Sequence, residues 1–345
     1  MAGAPYLGGG QIRRMLPMEH AVMALEAAFR AGPPAPDPGG ARTVLPGGHL
    51  ILSTATHGPW TAARLTTTPQ PATPSDPPTP HPATATPHPG TAPLHSGTAT
   101  PHPATAAAHP GADSGETALR SSAAGVLAAS HTGADGGADV LFVLLDARDL
   151  RPRLLLDAGA LAVLRAAAAG ALATRHLARA DARRVVVFGT GEHARAHVEA
   201  VLAVRQPDEV RIVAPDAQRA HRLAAELTAQ HAARILPGRP EDAAEADIVC
   251  VCTPGPLPAT ALPAAALPGP GSHVTTLGQG LPCPPGRHPY VVGEHAGVPG
   301  CDTDLHRVLT GQGSPPPGAT TLFAPSGLLA TDLALAAELA AKLLS

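Results

Sequence analysis

A glycine-rich turn between an apolar strand and a helix constrains this chain more than any other feature. The strand is predicted at 185–188, and the turn and helix start consist of Gly189, Thr190, Gly191, Glu192, His193 and Ala194. The first glycine allows a tight turn, the second lets the backbone approach a pyrophosphate, and the alanine permits close packing of helix on strand. The amides at the helix start favour an anion. The motif predicts a dinucleotide site, with a glycine turn that binds no ligand as the alternative.

Strands and helices alternate along the chain on either side of this turn. Further strands are predicted at 210–213, 248–252 and 273–277, and helices at 192–204 and 217–230. Such alternation is typical of a parallel, doubly wound α/β sheet of the Rossmann type. We assign this domain to residues 181–305.

The other apolar segments predict a second, split α+β domain made of residues 1–68, 138–180 and 306–345. Its predicted helices are 15–31, 158–177 and 327–344, and its predicted strands are 42–46, 50–52, 140–145 and 154–156. Three separate stretches of the chain therefore have to pack together, two from before the nucleotide domain and one from after it.

Between these stretches, residues 69–137 form a low-complexity insert of Pro, Thr, Ala, Gly and His. Its histidines recur every seven residues, at His81, His88, His95, His102 and His109. Large apolar side chains are missing and proline blocks both helix and sheet, so the composition predicts a disordered or polyproline insert. Weak binding of a soft metal ion is the alternative. A solvated linker is favoured, and no metal site is predicted.

Composition excludes several function classes. The formal net charge is −3 at pH 7, so no broad basic field exists to bind nucleic acid or an anionic membrane. No uninterrupted apolar run reaches the roughly 20 residues that a spanning helix needs. Four cysteines without paired C-x-x-C motifs argue against structural zinc. We interpret them as free thiols in a reducing cytoplasm.

The residue that contacts the adenosine ribose decides between NAD and NADP in such domains. Ala214 holds that position after the second strand, Asp216 follows two residues later, and Arg219 lies on the next helix. The choice between the two cofactors therefore stays open.

Arg165 is the only charged residue between positions 158 and 174. A guanidinium on so apolar a helix needs a partner, because an unpaired buried charge is costly. A substrate carboxylate would suit its planar fork. A structural partner such as Asp157, or extension of the side chain to the surface, is the alternative.

Several segments in this order resemble the ornithine cyclodeaminase and mu-crystallin family. They are residues 156–168, 189–197, 246–249, 253–254, 271–274 and 326–332, together with 16–18 and 42–43 near the start. The resemblance covers nearly the whole chain outside the repeat.

The resemblance implies hydride exchange between NAD or NADP and the α-carbon of a small amino or imino acid. It also implies a homodimer, with the split domain binding substrate and forming the dimer. Beyond the glycine turn, Ala214, Thr253 and Pro254 match cofactor-binding positions. Arg42, Arg64 and Arg165 match the three basic residues for the substrate carboxylate, with Arg64 in place of the usual lysine.

Gly280 departs from the family pattern, since cyclodeaminases have an acidic residue at this position. Glycine cannot act as a general acid or base, so true ornithine cyclisation is not expected. Reduction of an imine or ketimine, or oxidation of an amino acid, is expected instead. A catalytically impaired protein that still binds a dinucleotide is the alternative, so whether the chain is an enzyme stays open.

Overall fold

The computed structural model describes residues 4–34, 41–45, 48–69, 141–253, 268–277 and 289–344. Within these ranges, the side chains of residues 42–45, 48–50, 67–69 and 344 are outside the description. The predicted insert, apart from position 69, therefore lies outside the described residues, and so do Pro254, Gly280 and Cys283.

Six strands form the first sheet. They are β1 (Tyr6–Leu7), β2 (Ala41–Leu45), β3 (Gly48–His57), β4 (Trp60–Pro69), β5 (Leu141–Asp146) and β6 (Pro152–Asp157). Across the sheet the order is β1-β6-β5-β4-β3-β2, with β1 and β6 parallel and the other pairs antiparallel. The β5–β6 hairpin agrees with its sequence prediction. Strand β4 was not predicted, because its alanines and threonines carry little apolar signal.

The helices are α1 (Gly9–Met15), α2 (Met18–Ala31), α3 (Ala158–Leu177), α4 (Glu192–Val204), α5 (Ala217–Gln230), α6 (Leu305–Leu309) and α7 (Leu329–Leu344). The helix predicted at 15–31 is confirmed as α2 over residues 18–31, but its predicted start is too early, since α1 ends before Pro17 and α2 begins after it. Proline disfavours a helical backbone at the preceding residue, and Leu16 accordingly has φ −126° and ψ 81°. Among the described helices, none combines the length and apolar character needed to cross a membrane.

Eight strands form the second sheet. They are β7 (Arg184–Phe188), β8 (Glu209–Val213), β9 (Ile235–Pro237), β10 (Ile248–Val251), β11 (His273–Thr276), β12 (Tyr290–Gly293), β13 (Thr303–Asp304) and β14 (Thr321–Ala324). Their order is β13-β12-β14-β11-β10-β7-β8-β9, and all the pairings are parallel. The predicted doubly wound α/β sheet of the Rossmann type is confirmed.

Strand β14 lies in a different domain from the one that the sequence predicts for its residues. It pairs with β11 and with β12 in the second sheet, although residues 306–345 were assigned to the split domain. A short strand followed by a long helix carries no signal for which of two sheets it joins. The predicted domain boundaries otherwise stay predictions.

Helix α3 lies at the centre of the molecule and is buried along most of its length. The Asp157 carboxylate caps its start by accepting the Ala160 amide at 2.9 Å. At its end, the Arg205 guanidinium donates to the carbonyls of Thr174, Arg175 and Ala178. A Cβ atom on Gly170 would lie 3.0 Å from the Thr275 Oγ1 atom, so this glycine lets α3 lie tightly against β11.

Candidate nucleotide and substrate site

The glycine turn lies at the point where the strand order of the second sheet reverses. From β7 the chain moves outward to β8 and β9, and then returns to β10 on the opposite side of β7. In open α/β sheets, ligands bind beyond the carboxyl ends of the strands at this kind of switch point. The turn follows β7, and Thr253 follows β10, so both predicted segments reach the same crevice.

Gly189 and Gly191 are needed for different reasons. Gly189 has φ +119°, and a Cβ atom there would lie 3.0 Å from the Cys252 carbonyl oxygen. Its amide donates to the Val213 carbonyl at 2.9 Å, which ties the turn to the end of β8. Gly191 has φ −82°, and nothing lies within 4 Å of the position its Cβ would take. Gly189 is therefore needed for its backbone conformation, whereas the lack of a side chain at Gly191 leaves open space beside the turn.

Helix α4 begins directly after Gly191, which has no side chain to accept the hydrogen bonds of its first amides. Thr190 and His193 are half-buried, Glu192 is exposed, and Ala194 is fully buried against the strands. The His193 carbonyl accepts a hydrogen bond from the Nδ1 atom of His197 at 2.8 Å. This helix start can hold an anion such as a pyrophosphate.

At the expected adenosine end, Ala214 is half-buried after β8. The Asp216 carboxylate caps α5 by accepting the amides of Gln218 and Arg219 at 2.9 and 3.3 Å. Arg219 in turn lies 3.5 Å from Asp216. Asp216 could favour NAD and Arg219 could favour NADP, but the two side chains pair with each other. The geometry therefore favours neither cofactor.

The carboxyl end of β10 supplies a hydroxyl group and two buried thiols. The Thr253 Oγ1 atom is buried and has no hydrogen-bond partner among the described residues. Burial raises the pKa of Cys250 to about 12 and raises the pKa of Cys252 well above its usual range. Both thiols are free and protonated at neutral pH, which makes them unreactive core residues. Within the described ranges, no cluster of His, Cys, Asp or Glu side chains could hold a metal ion.

Arg64 and Arg165 meet at one carboxylate, that of Asp332. The Nη1 atom of Arg64 donates to Oδ2 of Asp332 at 2.9 Å, and the Nε atom of Arg165 lies 3.0 Å from Oδ1. Arg165 and Asp332 are each 2% exposed. The Nη1 atom of Arg165 lies 3.8 Å from Glu294, beyond hydrogen-bond distance, and has no hydrogen-bond partner in the described part of the chain. The alternative of a structural partner for Arg165 is confirmed, but the partner is Asp332 rather than Asp157, which caps α3 instead.

Glu294 is fully buried after β12 and holds the segment that leads into α7. Its Oε2 atom accepts the amides of Ser326 and Gly327 at 2.7 and 2.9 Å, and its Oε1 atom accepts the Thr331 hydroxyl at 3.0 Å. A side chain of the second sheet thereby fixes the helix that carries Asp332. We refer to Arg64, Arg165, Asp332 and Glu294 as the arginine network.

Sequence reasoning did not assign roles to Asp332 and Glu294. Asp332 lies in one of the segments that carry the family resemblance. Like Arg165, it is a charged residue in an apolar helix, and this pattern indicates a buried charge that needs a partner. Arg42 lies on β2 in register with Ile51, while its side chain is outside the described part. The structure thus brings together two of the three predicted carboxylate ligands.

The model of the ornithine cyclodeaminase/mu-crystallin family matches residues 117–285. A cyclodeaminase of uncharacterised activity from Sinorhizobium fredii is 38% identical over 141 residues, which are 40% of this chain and 42% of that protein. Delta(1)-pyrroline-2-carboxylate reductase from Bacillus cereus is 31% identical over 115 residues, which are 33% of this chain and 35% of the reductase. The chain therefore aligns with less than half the length of these relatives.

A solved structure extends the likeness to the whole chain. The Thermococcus litoralis Delta(1)-pyrroline-2-carboxylate reductase, in complex with NADH and L-proline, superposes with a TM-score of 0.67. The alignment covers 98% of this chain and 97% of the reductase at 16% sequence identity. At that identity the comparison shows a shared fold.

Proposed function

We propose that this chain is an NAD(P)-dependent oxidoreductase of small amino or imino acids within the ornithine cyclodeaminase/mu-crystallin family, whose model matches residues 117–285. The reaction would be imine or ketimine reduction, or the reverse oxidation of an amino acid. The observation that carries the proposal is the glycine turn at the switch point, with open space at Gly191 beside the start of α4. The similarity of this chain to Delta(1)-pyrroline-2-carboxylate reductase from Bacillus cereus supports this substrate class.

The residues present fit a bound dinucleotide. A Cβ atom would fill the open space at Gly191, and the positive end of α4 suits a pyrophosphate. The Thr253 hydroxyl is buried without a partner among the described residues and can bind the same ligand. When bound, the nicotinamide supplies or accepts the hydride at the substrate α-carbon.

In the proposed substrate site, Arg64 and Arg165 receive the substrate carboxylate, and the family resemblance implies Arg42 as the third ligand. Guanidinium groups donate hydrogen bonds and accept none, so these arginines can bind the carboxylate but do not supply a base. With Gly280 at the usual acidic position, the proton needed for imine reduction comes from the substrate iminium or from water. Ornithine cyclisation, which needs proton transfers at the amine, is not part of the proposal.

The arginine network also favours a second candidate, a dinucleotide-binding protein without catalysis. Two arginines are balanced by two carboxylates, so the four side chains have no formal net charge to attract an anion. This reading predicts cofactor binding without substrate turnover.

One assay separates the two candidates. Purified protein is mixed with NADH or NADPH and with cyclic imines, first Δ1-pyrroline-2-carboxylate, and then with 2-oxo acids plus amines. Oxidation of the reduced cofactor, absent in a Gly191→Val control, would support the oxidoreductase. Enhanced cofactor fluorescence without oxidation of any substrate would support the binding protein. No fluorescence change and no turnover would contradict both.

The homodimer is also a proposal, and one face of the first sheet supports it. Thr54, Ala63, Val143, Leu155 and Tyr6 lie in register across five strands, and none of them is buried. The opposite face is buried under α7 and its neighbours. An uncovered apolar sheet face is a typical contact surface for a second copy.

Light scattering after gel filtration tests this dimer. A Val143→Lys variant should elute as a monomer, because the change puts a charge at the centre of the proposed interface. Met23→Lys, at a residue 60% exposed on α2, is the matched control and should stay dimeric. A monomeric unmodified chain would contradict the proposal.

A further inference from the structure

We propose that Asp332 is a positioning residue that orients Arg64 and Arg165 toward the substrate carboxylate. The inference rests on the proposed function, in which these arginines receive that group. The Asp332 carboxylate lies between the two guanidinium groups and gives one oxygen to each, at 2.9 and 3.0 Å. It thereby sets the separation and the relative orientation of two side chains that come from different elements, β4 and α3.

Arg64 is the side chain that most needs this support. An arginine loses rotamer entropy when it is held in one conformation. Arg165 is 2% exposed and is held along its length by the packing of α3, whereas the Arg64 side chain is 18% exposed. Asp332 therefore restrains the more exposed of the two arginine side chains, while burial in the core holds Arg165.

The place of Asp332 is itself fixed by other groups. Glu294 accepts the amides of Ser326 and Gly327 and the hydroxyl of Thr331, the residue directly before Asp332. The carboxylate of Glu294 therefore secures the approach to α7. Asp332, in the first turn of this helix, directs its carboxylate at the two arginines. A fixed backbone and a fixed carboxylate together make a rigid support for Arg64.

Because the arginine network has no formal net charge, its affinity for an anion depends on how its N–H groups are presented. Each guanidinium has five N–H donors. Asp332 accepts a hydrogen bond from Arg64, and its contact with the Nε atom of Arg165 is an ion pair at 3.0 Å without hydrogen-bond geometry. The Arg165 Nη1 atom is buried without a hydrogen-bond partner among the described residues, a costly state that an acceptor on a ligand would relieve. Orientation by Asp332 leaves such donors available to a carboxylate.

The test compares Asp332→Asn with Glu338→Gln, which makes the same change from carboxylate to amide elsewhere on α7. Hydrogen bonds to charged groups contribute about 1.5–3 kcal/mol, so KM for Δ1-pyrroline-2-carboxylate should rise roughly tenfold to hundredfold in Asp332→Asn. The value of kcat should change much less, because Asp332 does not touch the reacting atoms. The Kd for NADH, measured by fluorescence, should be unchanged, and Glu338→Gln should behave as the unmodified protein.

A second variant covers the case in which Asp332→Asn does not fold. Asp332→Glu keeps the charge and moves the carboxylate by one methylene, so KM should again rise while the melting temperature stays close to that of the unmodified protein. An unchanged KM in the folded variants would overturn the inference. A lowered KM would also overturn it, because Asp332 would then compete with the substrate carboxylate.

Failure of the proposed function would look different from failure of this inference. If the unmodified protein binds NADH but turns over no imine, the oxidoreductase proposal fails. Calorimetric binding of pyrrole-2-carboxylate, a carboxylate that is not reduced, then replaces KM. Weaker binding to Asp332→Asn would still support the positioning role, whereas equal binding, or none to the unmodified protein, would overturn it.

Discussion

His273 should make the stability of this protein fall steeply in mild acid. The residue is fully buried at the start of β11, at the edge of the sheet opposite the glycine turn. Its Nδ1 atom shares a hydrogen bond with the Thr321 hydroxyl at 2.8 Å. Burial, and to a lesser extent the Arg205 guanidinium, lower the pKa of His273 from 6.5 to about 3. The fold therefore favours the neutral imidazole.

The size of the effect follows from proton linkage. Below pH 6.5 the unfolded chain binds a proton at this residue, while the folded protein binds it only near pH 3. The stabilisation is fully present above pH 6.5 and is lost as the pH falls. Each unit of difference in pKa corresponds to about 1.4 kcal/mol, so stability on the order of 3 kcal/mol is lost by pH 4.

The measurement is urea unfolding of the unmodified protein and of His273→Asn between pH 7.5 and 4, followed by circular dichroism. Asparagine can keep the hydrogen bond to Thr321 but does not titrate. In the difference in unfolding free energy between the two proteins, the contributions of the other titrating groups cancel. This difference should shrink by roughly 3 kcal/mol from pH 6.5 to pH 4. His221→Asn, at an exposed position on α5, should stay within about 0.5 kcal/mol of the unmodified protein. A difference that does not depend on pH would refute the reasoning.

Three further predictions concern the site and the packing. Gly191→Val should fold and yet lower the affinity for NADH by orders of magnitude in a fluorescence titration, and unchanged affinity in the folded variant would rule out the assigned site. Gly189→Ala should instead lower the melting temperature, because residue 189 has a φ of +119°. With Gly280 at the acidic position, the protein should form no measurable proline from ornithine with NAD or NADP, and robust proline formation would contradict this. Gly170→Val should cost about 1–3 kcal/mol in urea unfolding, because its Cβ would press on Thr275; an unaltered midpoint would show that α3 can shift.

The second sheet was predictable because its signals are local. The strand at Arg184–Phe188 has consecutive buried valines, and the turn that follows uses glycine where a positive φ and an open space require it. Period and turn chemistry are both visible within about ten residues of sequence. Strands β9 and β12 escaped prediction, since runs of three or four residues hold too little periodicity.

The arginine network was only partly predictable, because its contacts join distant parts of the chain. The need of Arg165 for a partner could be read from its apolar helix, but the partner, Asp332, lies on the last described helix. A sequence shows which buried charge requires compensation, and only the tertiary fold shows which carboxylate provides it. The same holds for Arg64, whose strand has no strong apolar alternation.

The position of β14 has a consequence for the synthesis of the chain. Thr321–Ala324 fills the gap between β11 and β12, although both of those strands precede it in sequence. Until residue 324 has left the ribosome, β11 and β12 each expose an unpaired edge toward the empty place. At about 5–20 residues per second, translation from β12 to β14 takes on the order of seconds. During that interval the nascent sheet is open to pairing with another chain, so β14 acts as the closing segment that ends the exposure.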